Sequence, residues 1–265
     1  FGFAFNTVQS NTICEAFQNA FGVDNFYMGI VLTVSTLLII FGGIQRIAKV
    51  SALIVPFMAL GYLALALYVV GANITVIPDV IATIFRSAFG FEQAFGGTVG
   101  AAMTQGIKRG LFSNEAGEGS APNAAATADV SHPVKQGLIQ MLGVFTDTLV
   151  ICSCTAFIIL VSGLPLDGSL DGVLLTQEAL SVEIGHTGRV FVAVAIFFFA
   201  FSSIIGNYYY GEANIAFVSR KRWTMTAYRL MVGAMVMFGA LTTLQTVLSL
   251  ADLTMALMTL CNLVA

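Results

Sequence analysis

The sequence predicts an all-α integral membrane protein, and three observations predict it. Only 9% of the residues are charged while 57% are hydrophobic, against roughly 25% charged in soluble domains. The mean hydropathy is +0.89. Uncharged stretches also recur at about the 20-residue length that a helix needs to cross the hydrocarbon core. The formal net charge of −3 supplies no basic surface for phosphates, which argues against a nucleic-acid partner. Membrane lipid is the expected surrounding.

Four clear spans follow one another at residues 26–44, 51–77, 190–211 and 230–251. A fifth, 137–161, is as apolar except for Asp147 near its centre, and another begins at Leu253. Basic residues should gather on cytoplasmic loops. Arg46 and Lys49, then Lys135, then Arg220, Lys221, Arg222 and Arg229 fall on alternate connections. The intervening connections hold Asp24, then Asp79 and Glu92, then Asp167, Asp171, Glu178 and Glu183, with only Arg86 and Arg189 as basic residues. The alternation is self-consistent if the basic side is cytoplasmic. Tyr208, Tyr209 and Tyr210 are expected to anchor that interface.

The cysteines, Cys14, Cys152, Cys154 and Cys261, have neither metal-ligand spacing nor the density of a disulfide framework, and read as small apolar helix residues. The chain opens at Phe1 and stops at Ala265 inside apolar stretches, with no signal peptide visible; the expectation is a fragment.

Residues 96–133, GGTVGAAMTQGIKRGLFSNEAGEGSAPNAAATADVSHP, fit no simple span. Lys108, Arg109, Glu115 and Glu118 crowd among Ser113, Asn114, Gly117, Gly119, Ser120 and Pro122, where a helix interior is costly. Short helices are expected to either side, at 98–105 and 121–128, giving a discontinuous helix around 96–130. Irregular backbone at membrane depth is tolerated only when buried in protein or lining a polar cavity. In transporters such breaks bind substrate and ion, a half-helix N-terminus drawing a carboxylate and freed carbonyls holding a cation. The competing reading is a polar surface loop. Gly96 with Gly100 and Gly106 with Gly110 have the spacing of close helix contacts. No H-E-x-x-H, G-x-S-x-G or Walker-type loop occurs, so ATP-driven transport and familiar hydrolase chemistry have no motif here. His132 and His186 suggest no metal.

The string KRGLFSNEAGEGSAPNAAATA, then HPVKQGL and FTDTLVICSCTAFIIL, resembles the alanine or glycine:cation symporters of bacteria and archaea. The likeness continues through GGIQRIAK, VPFMALGY, FAFSSIIGNYYYGE and ADLTMALM, covering essentially the whole chain. The resemblance implies a LeuT-type fold, an inverted-repeat bundle with discontinuous first and sixth helices, in one transmembrane domain over 1–265. Residues 1–20 would end the third helix, FSNEAG would be the unwound centre of the sixth, and the last helix would be the tenth. The implied activity is import of alanine or glycine with sodium by alternating access, in a multi-pass protein of the bacterial or archaeal cell membrane. Sodium is the coupling ion, no other cofactor is expected, the partner is a small neutral amino acid, and the oligomeric state is open.

For substrate the candidates are Phe112, Ser113, Asn114 and Gly117 at the break, with Gln9 and Asn11 as polar groups in an apolar context. Packing for Phe112, and a helix-to-helix hydrogen bond for Gln9 and Asn11, are the plain alternatives. Ser202 and Ser203 resemble the paired hydroxyls of the sodium site shared within this fold; otherwise they bond back to their own helix. Asp147, an intramembrane acid, has three readings: a ligand of the coupling cation, a proton carrier, or a structural partner of Arg109. Arg109 is the candidate gate, and Lys108 is expected to snorkel to the outer interface. Proton coupling, an intramembrane enzyme and a non-transporting receptor or scaffold are the alternatives to the sodium symporter.

Overall fold

The computed structural model describes the chain apart from residues 43, 90–97, 116, 167, 220 and 265, and side chains apart also from those of 44–54, 87–89, 98–103, 105 and 124. The side chains of Arg46, Lys49, Glu92, Asp167 and Arg220, and Gly96, therefore lie outside the described residues. Those residues form α-helices and no strand. In chain order they are α1 (Ala4–Phe21), α2 (Asn25–Ile40), α3 (Ile44–Ala72), α4 (Ile77–Phe89), α5 (Thr98–Asn114), α6 (Ala121–Ala125), α7 (Pro133–Phe145), a π-helical turn (Thr146–Ile151), α8 (Cys152–Val161), α9 (Gly172–Ile184), α10 (His186–Val218), α11 (Arg222–Leu241) and α12 (Leu244–Val264).

Five stretches among the described residues are long and apolar enough to cross a membrane: Val55–Ala72, Pro133–Val161, His186–Val218, Arg222–Leu241 and Leu244–Val264. The shorter apolar helix Asn25–Ile40 joins them. The expected span at 230–251 is corrected, because it straddles the end of α11 and the start of α12. Thr242 leaves the helix in an extended conformation, φ −105° and ψ 158°. Its carbonyl accepts from Asn11 Nδ2 at 2.6 Å, a bond that a continuing helix would reserve for its own amide. An apolar count does not register that competition.

The helices form two compact units, one of Phe1–Tyr62 with Leu166–Ala265 and one of Leu63–Pro165. In the first, α1 packs against α10 and α11, and α2 against α11. Buried Ile13, Leu32, Phe201, Ile204, Val232 and Val236 lie at the centre. α1 is unusual in burying polar side chains. Ser10 Oγ donates to Val236 O at 2.6 Å and Asn11 Nδ2 donates to Gly239 O at 3.3 Å. These bonds cross from α1 to α11 where Gly239 lets the backbones meet: a Cβ there would run into the main chain of Thr7. α2 starts on Asp24, whose carboxylate caps Phe26 N–H at 2.8 Å. It leaves Tyr27, Val31, Val34 and Leu38 exposed, the outward apolar surface that suits lipid.

Arg229 stands inside α11, not on a loop as the charge count expected. Its guanidinium donates to Glu212 Oε1 at 2.9 Å and to Tyr208 Oη at 3.0 Å, and lies 5.2 Å from the Phe41 ring centroid. Tyr208 is fully buried, which corrects its assignment to an interface belt. Tyr228 Oη donates to its carbonyl at 3.1 Å. A second clamp joins α9 to α10. Gln177, buried, donates to the carbonyls of Ala16 and Arg189 at 3.0 and 3.1 Å. Arg189 Nη2 donates to Glu178 Oε2 at 2.7 Å, and Asn19 Nδ2 donates to Gln177 Oε1 at 3.1 Å. In the second unit α5 packs on the π-helical turn, and α4 on α5 and α8.

Two outcomes follow. Gly239→Ala should cost about 1–3 kcal/mol by overpacking the α1–α11 crossing, read as a lower thermal midpoint in detergent. Gly206→Ala, where a Cβ meets nothing within 4 Å, should leave the midpoint in place. Partial burial raises the Glu178 pKa, but the hydrogen bonds from Arg189 and Asn19 outweigh it and hold the carboxyl below its ordinary value. A folded-state pKa below the unfolded one stabilises above the unfolded value of about 4.3, and that contribution is lost as pH falls through the folded value. The difference in thermal midpoint between wild type and Glu178→Gln should therefore be present at neutral pH and vanish at acid pH.

Candidate functional site

Within the second unit, one polar cluster forms where the end of α5 meets the π-helical turn. α5 runs on to Asn114, further than the expected 98–105, so Lys108, Arg109, Phe112, Ser113 and Asn114 are helical and the break starts at Glu115. Ser113 Oγ donates to Asp147 Oδ2 at 3.0 Å. It also lies 3.4 Å from Thr148 Oγ1 and 3.4 Å from Cys152 Sγ. Ser113 thus gathers a carboxylate, a hydroxyl and a thiol from the neighbouring span.

The π-helical turn makes this possible. The amide of Cys152 reaches back to Asp147 O, five residues instead of four, so the helix there accommodates one extra residue. Such bulges concentrate at functional sites because they re-aim side chains. Thr146 Oγ1 bonds back to Leu142 O at 2.8 Å, leaving Asp147 and Thr148 as the members turned to α5. Negative charge at Asp147 and the negative dipole end of α5 act together. The cluster is suited to a monovalent cation or an ammonium group.

The break itself is a run of left-handed residues: Glu115 at φ 51°, Gly117 at 76° and Gly119 at 77°. Glycine adopts this region without penalty, while Glu115 is a non-glycine residue held there. Asn123 Nδ2 donates to Gly119 O at 2.9 Å, which ties the returning chain to the start of α6. Gly117 is exposed, and Phe112 and Asn114 are half-buried on α5. The Arg109 guanidinium lies 5.7 Å from the Phe112 ring centroid, one turn earlier on the same helix.

The other expected residues belong to the first unit. Asn11 is buried and makes the helix-to-helix bonds described above; its Oδ1 is buried and finds no partner among the described residues. Gln9 is half-buried on α1. Ser202 and Ser203 both donate to Phe199 O, at 2.8 and 3.1 Å, so their protons point back along α10 while their oxygens keep lone pairs. Sequence reasoning did not assign Thr148 or Cys152 to the site, although their offsets of one and five residues from Asp147 become adjacent once the helix widens. It also gave no role to Glu118 and Ser120, both buried within the break.

An all-helical chain with membrane-length helices, and an interrupted helix carrying a polar cluster against a locally widened span, is a multi-pass membrane protein with the build of a transporter. The chain belongs to the sodium:alanine symporter family, whose sequence profile matches residues 1–265. It is 52% identical over 265 residues to a protein of Bacillus subtilis (strain 168) described as the probable sodium/glutamine symporter GlnT, covering 100% of this chain and 55% of that protein. It is 54% identical over 264 residues to the amino-acid carrier protein AlsT of the same bacterium, covering 100% and 56%. Against the sodium/alanine symporter AgcS of Methanococcus maripaludis it is 38% identical over 262 residues, covering 98% and 57%. The chain spans little more than half the length of these relatives. The family consists of transporters of the cell membrane, not enzymes.

On the sodium-coupled reading proposed below, Asp147→Asn and Ser113→Ala in the full-length protein should each raise the sodium concentration for half-maximal activity by about tenfold, the scale of one hydrogen bond to a charged group. Unchanged sodium dependence with a lowered thermal midpoint would make the cluster structural.

Proposed function

We propose that this protein imports a small neutral amino acid, alanine or glycine, together with sodium, by alternating access on a LeuT-type inverted-repeat scaffold. The observation that carries the reading is the Ser113–Asp147–Thr148 cluster at the C-terminal end of α5, beside a helix break. A carboxylate and two hydroxyls at the negative end of a helix dipole favour positive charge. Phe112, Ser113, Asn114 and Gly117 are the substrate candidates at that end, with Gln9 and Asn11 as further ones, Asn11 through its unpartnered Oδ1. Asp147, Ser202 and Ser203 are the sodium candidates. Their oxygens match a hard cation, which prefers hydroxyl and carbonyl ligands to nitrogen or sulfur. Arg109, stacked near Phe112, is the candidate gate.

The relatives' descriptions support the substrate class, naming sodium with glutamine in one case and with alanine in another. The choice of alanine or glycine over glutamine rests on the small residues of the break. Glycine lets a ligand approach the backbone closely.

Labelled alanine, glycine and glutamine should be offered to liposomes containing the full-length protein, with and without an inward sodium gradient. Sodium-dependent accumulation of alanine or glycine well above that of glutamine is expected. Accumulation driven by a proton gradient alone would transfer the coupling role to Asp147 as proton carrier. Absence of uptake under either gradient would return the protein to a non-transporting role.

A further inference from the structure

The turn between α10 and α11 sets exposed apolar side chains beside cations that make no ion pair. Phe217 and Val218, in the last turn of α10, are 92% and 85% exposed, and Trp223, in the first turn of α11, is 82% exposed. The two helix ends are held together, since Ser219 Oγ and Thr224 Oγ1 lie 3.3 Å apart. Lys221 and Arg222 stand between them, both exposed, and Arg220 precedes them in the sequence. Neither Lys221 nor Arg222 makes an ion pair among the described residues. The nearest acid before them, Glu212, is committed to Arg229 at 2.9 Å, and the sequence holds no further acid until Asp252.

Two forces are left unbalanced there. Lys221 and Arg222 lie at the positive end of the α11 dipole, and the first turn of that helix has no acidic residue, so each cation opposes the helix it starts. Contiguous apolar groups also face outward across one turn, an arrangement that marks an interaction or membrane surface. We propose that this turn docks on the anionic phospholipid headgroups of the leaflet it faces. Phosphate oxygens answer the cations, and the boundary between headgroups and acyl chains takes Phe217, Val218 and Trp223. The depth agrees. Phe217 lies six residues past the apolar stretch 190–211, about 9 Å along the helix, and the headgroup layer adds roughly 5–8 Å to each side of the hydrocarbon core. The docking requires neither sodium nor an amino acid, so it stands or falls apart from the transport reading.

The test places Phe217→benzoylphenylalanine, which is photoreactive and similarly apolar, in the full-length protein in nanodiscs whose phosphatidylglycerol fraction is raised against phosphatidylcholine. Irradiation should crosslink position 217 to phosphatidylglycerol in preference to phosphatidylcholine. Lys221→Gln and Arg222→Gln should each raise the half-saturating phosphatidylglycerol fraction by about fivefold, and added salt should raise it too. Lys221→Arg combined with Arg222→Lys keeps both charges and should retain the preference, which separates loss of charge from damage to the turn. Crosslinks that merely follow the bulk lipid composition, unmoved by the two Gln substitutions, would overturn the proposal. So would crosslinks confined to the protein's own polypeptide, which would mean that another segment of the full-length chain covers the turn.

Discussion

Lipid offers no hydrogen bonds, so every polar group that a membrane chain carries into the bilayer must be answered from inside the protein. The crossing of α1 and α11 answers it by contact. Ser10 and Asn11 turn their donors onto the carbonyls of Val236, Gly239 and Thr242. The absence of a side chain at Gly239 lets the helices come close enough for those donors to reach. The same bonds explain why α11 stops where it does. With Thr242 O committed to Asn11, the chain turns and restarts as α12, so one interhelical amide both joins two helices and ends one of them.

Charged groups follow the same rule with different partners. Arg229 enters the body of α11 because Glu212, Tyr208 and the Phe41 ring surround it. Removing one member of such a set strands another charge, which is why buried pairs break expensively even where forming them gains little. The Gln177–Glu178–Arg189 set does similar work where α9 turns into α10. Between them these clamps hold the ends of α10, about 50 Å long at 1.5 Å per residue, to its neighbours within the first unit. The second unit keeps its polar groups differently, gathered at the end of α5 and in the break that follows.

Much of this organisation is legible in the sequence. Apolar run length located the helices that became α2, α3, the 133–161 span and α10, because a helix that must satisfy its own backbone in lipid needs an unbroken stretch of fixed length. Charge exclusion misplaced the start of α11, since Arg229 is compatible with a helix once its partners are present. Irregular backbone in this segment was expected from its glycines and acids, yet its start was set too early. Residues 106–114 include two glycines and two cations, but α5 carries them; the chain departs only where Glu115 takes a left-handed conformation. The π-helical turn at 146–151 left no trace in the pattern, because a single extra residue per turn changes neither composition nor run length. The burial of Glu118 was equally hidden, since an acid in a glycine-rich loop ordinarily faces solvent.

The orientation of hydroxyl protons ties the candidate residues together chemically. Ser202 and Ser203 both spend their protons on Phe199 O, and Ser113 spends its proton on Asp147. A hydroxyl whose proton is committed presents only lone pairs to the space in front of it. It can then act as an acceptor toward an ammonium or a ligand to a cation, with no competing donor to be turned away. Back-bonding to the helix is a local habit of serine, and it leaves the lone pairs of Ser202 and Ser203 free to accept. The back-bond observed at Ser202 and Ser203 and the ion role proposed for them are thus compatible, because the first uses the proton and the second would use the oxygen.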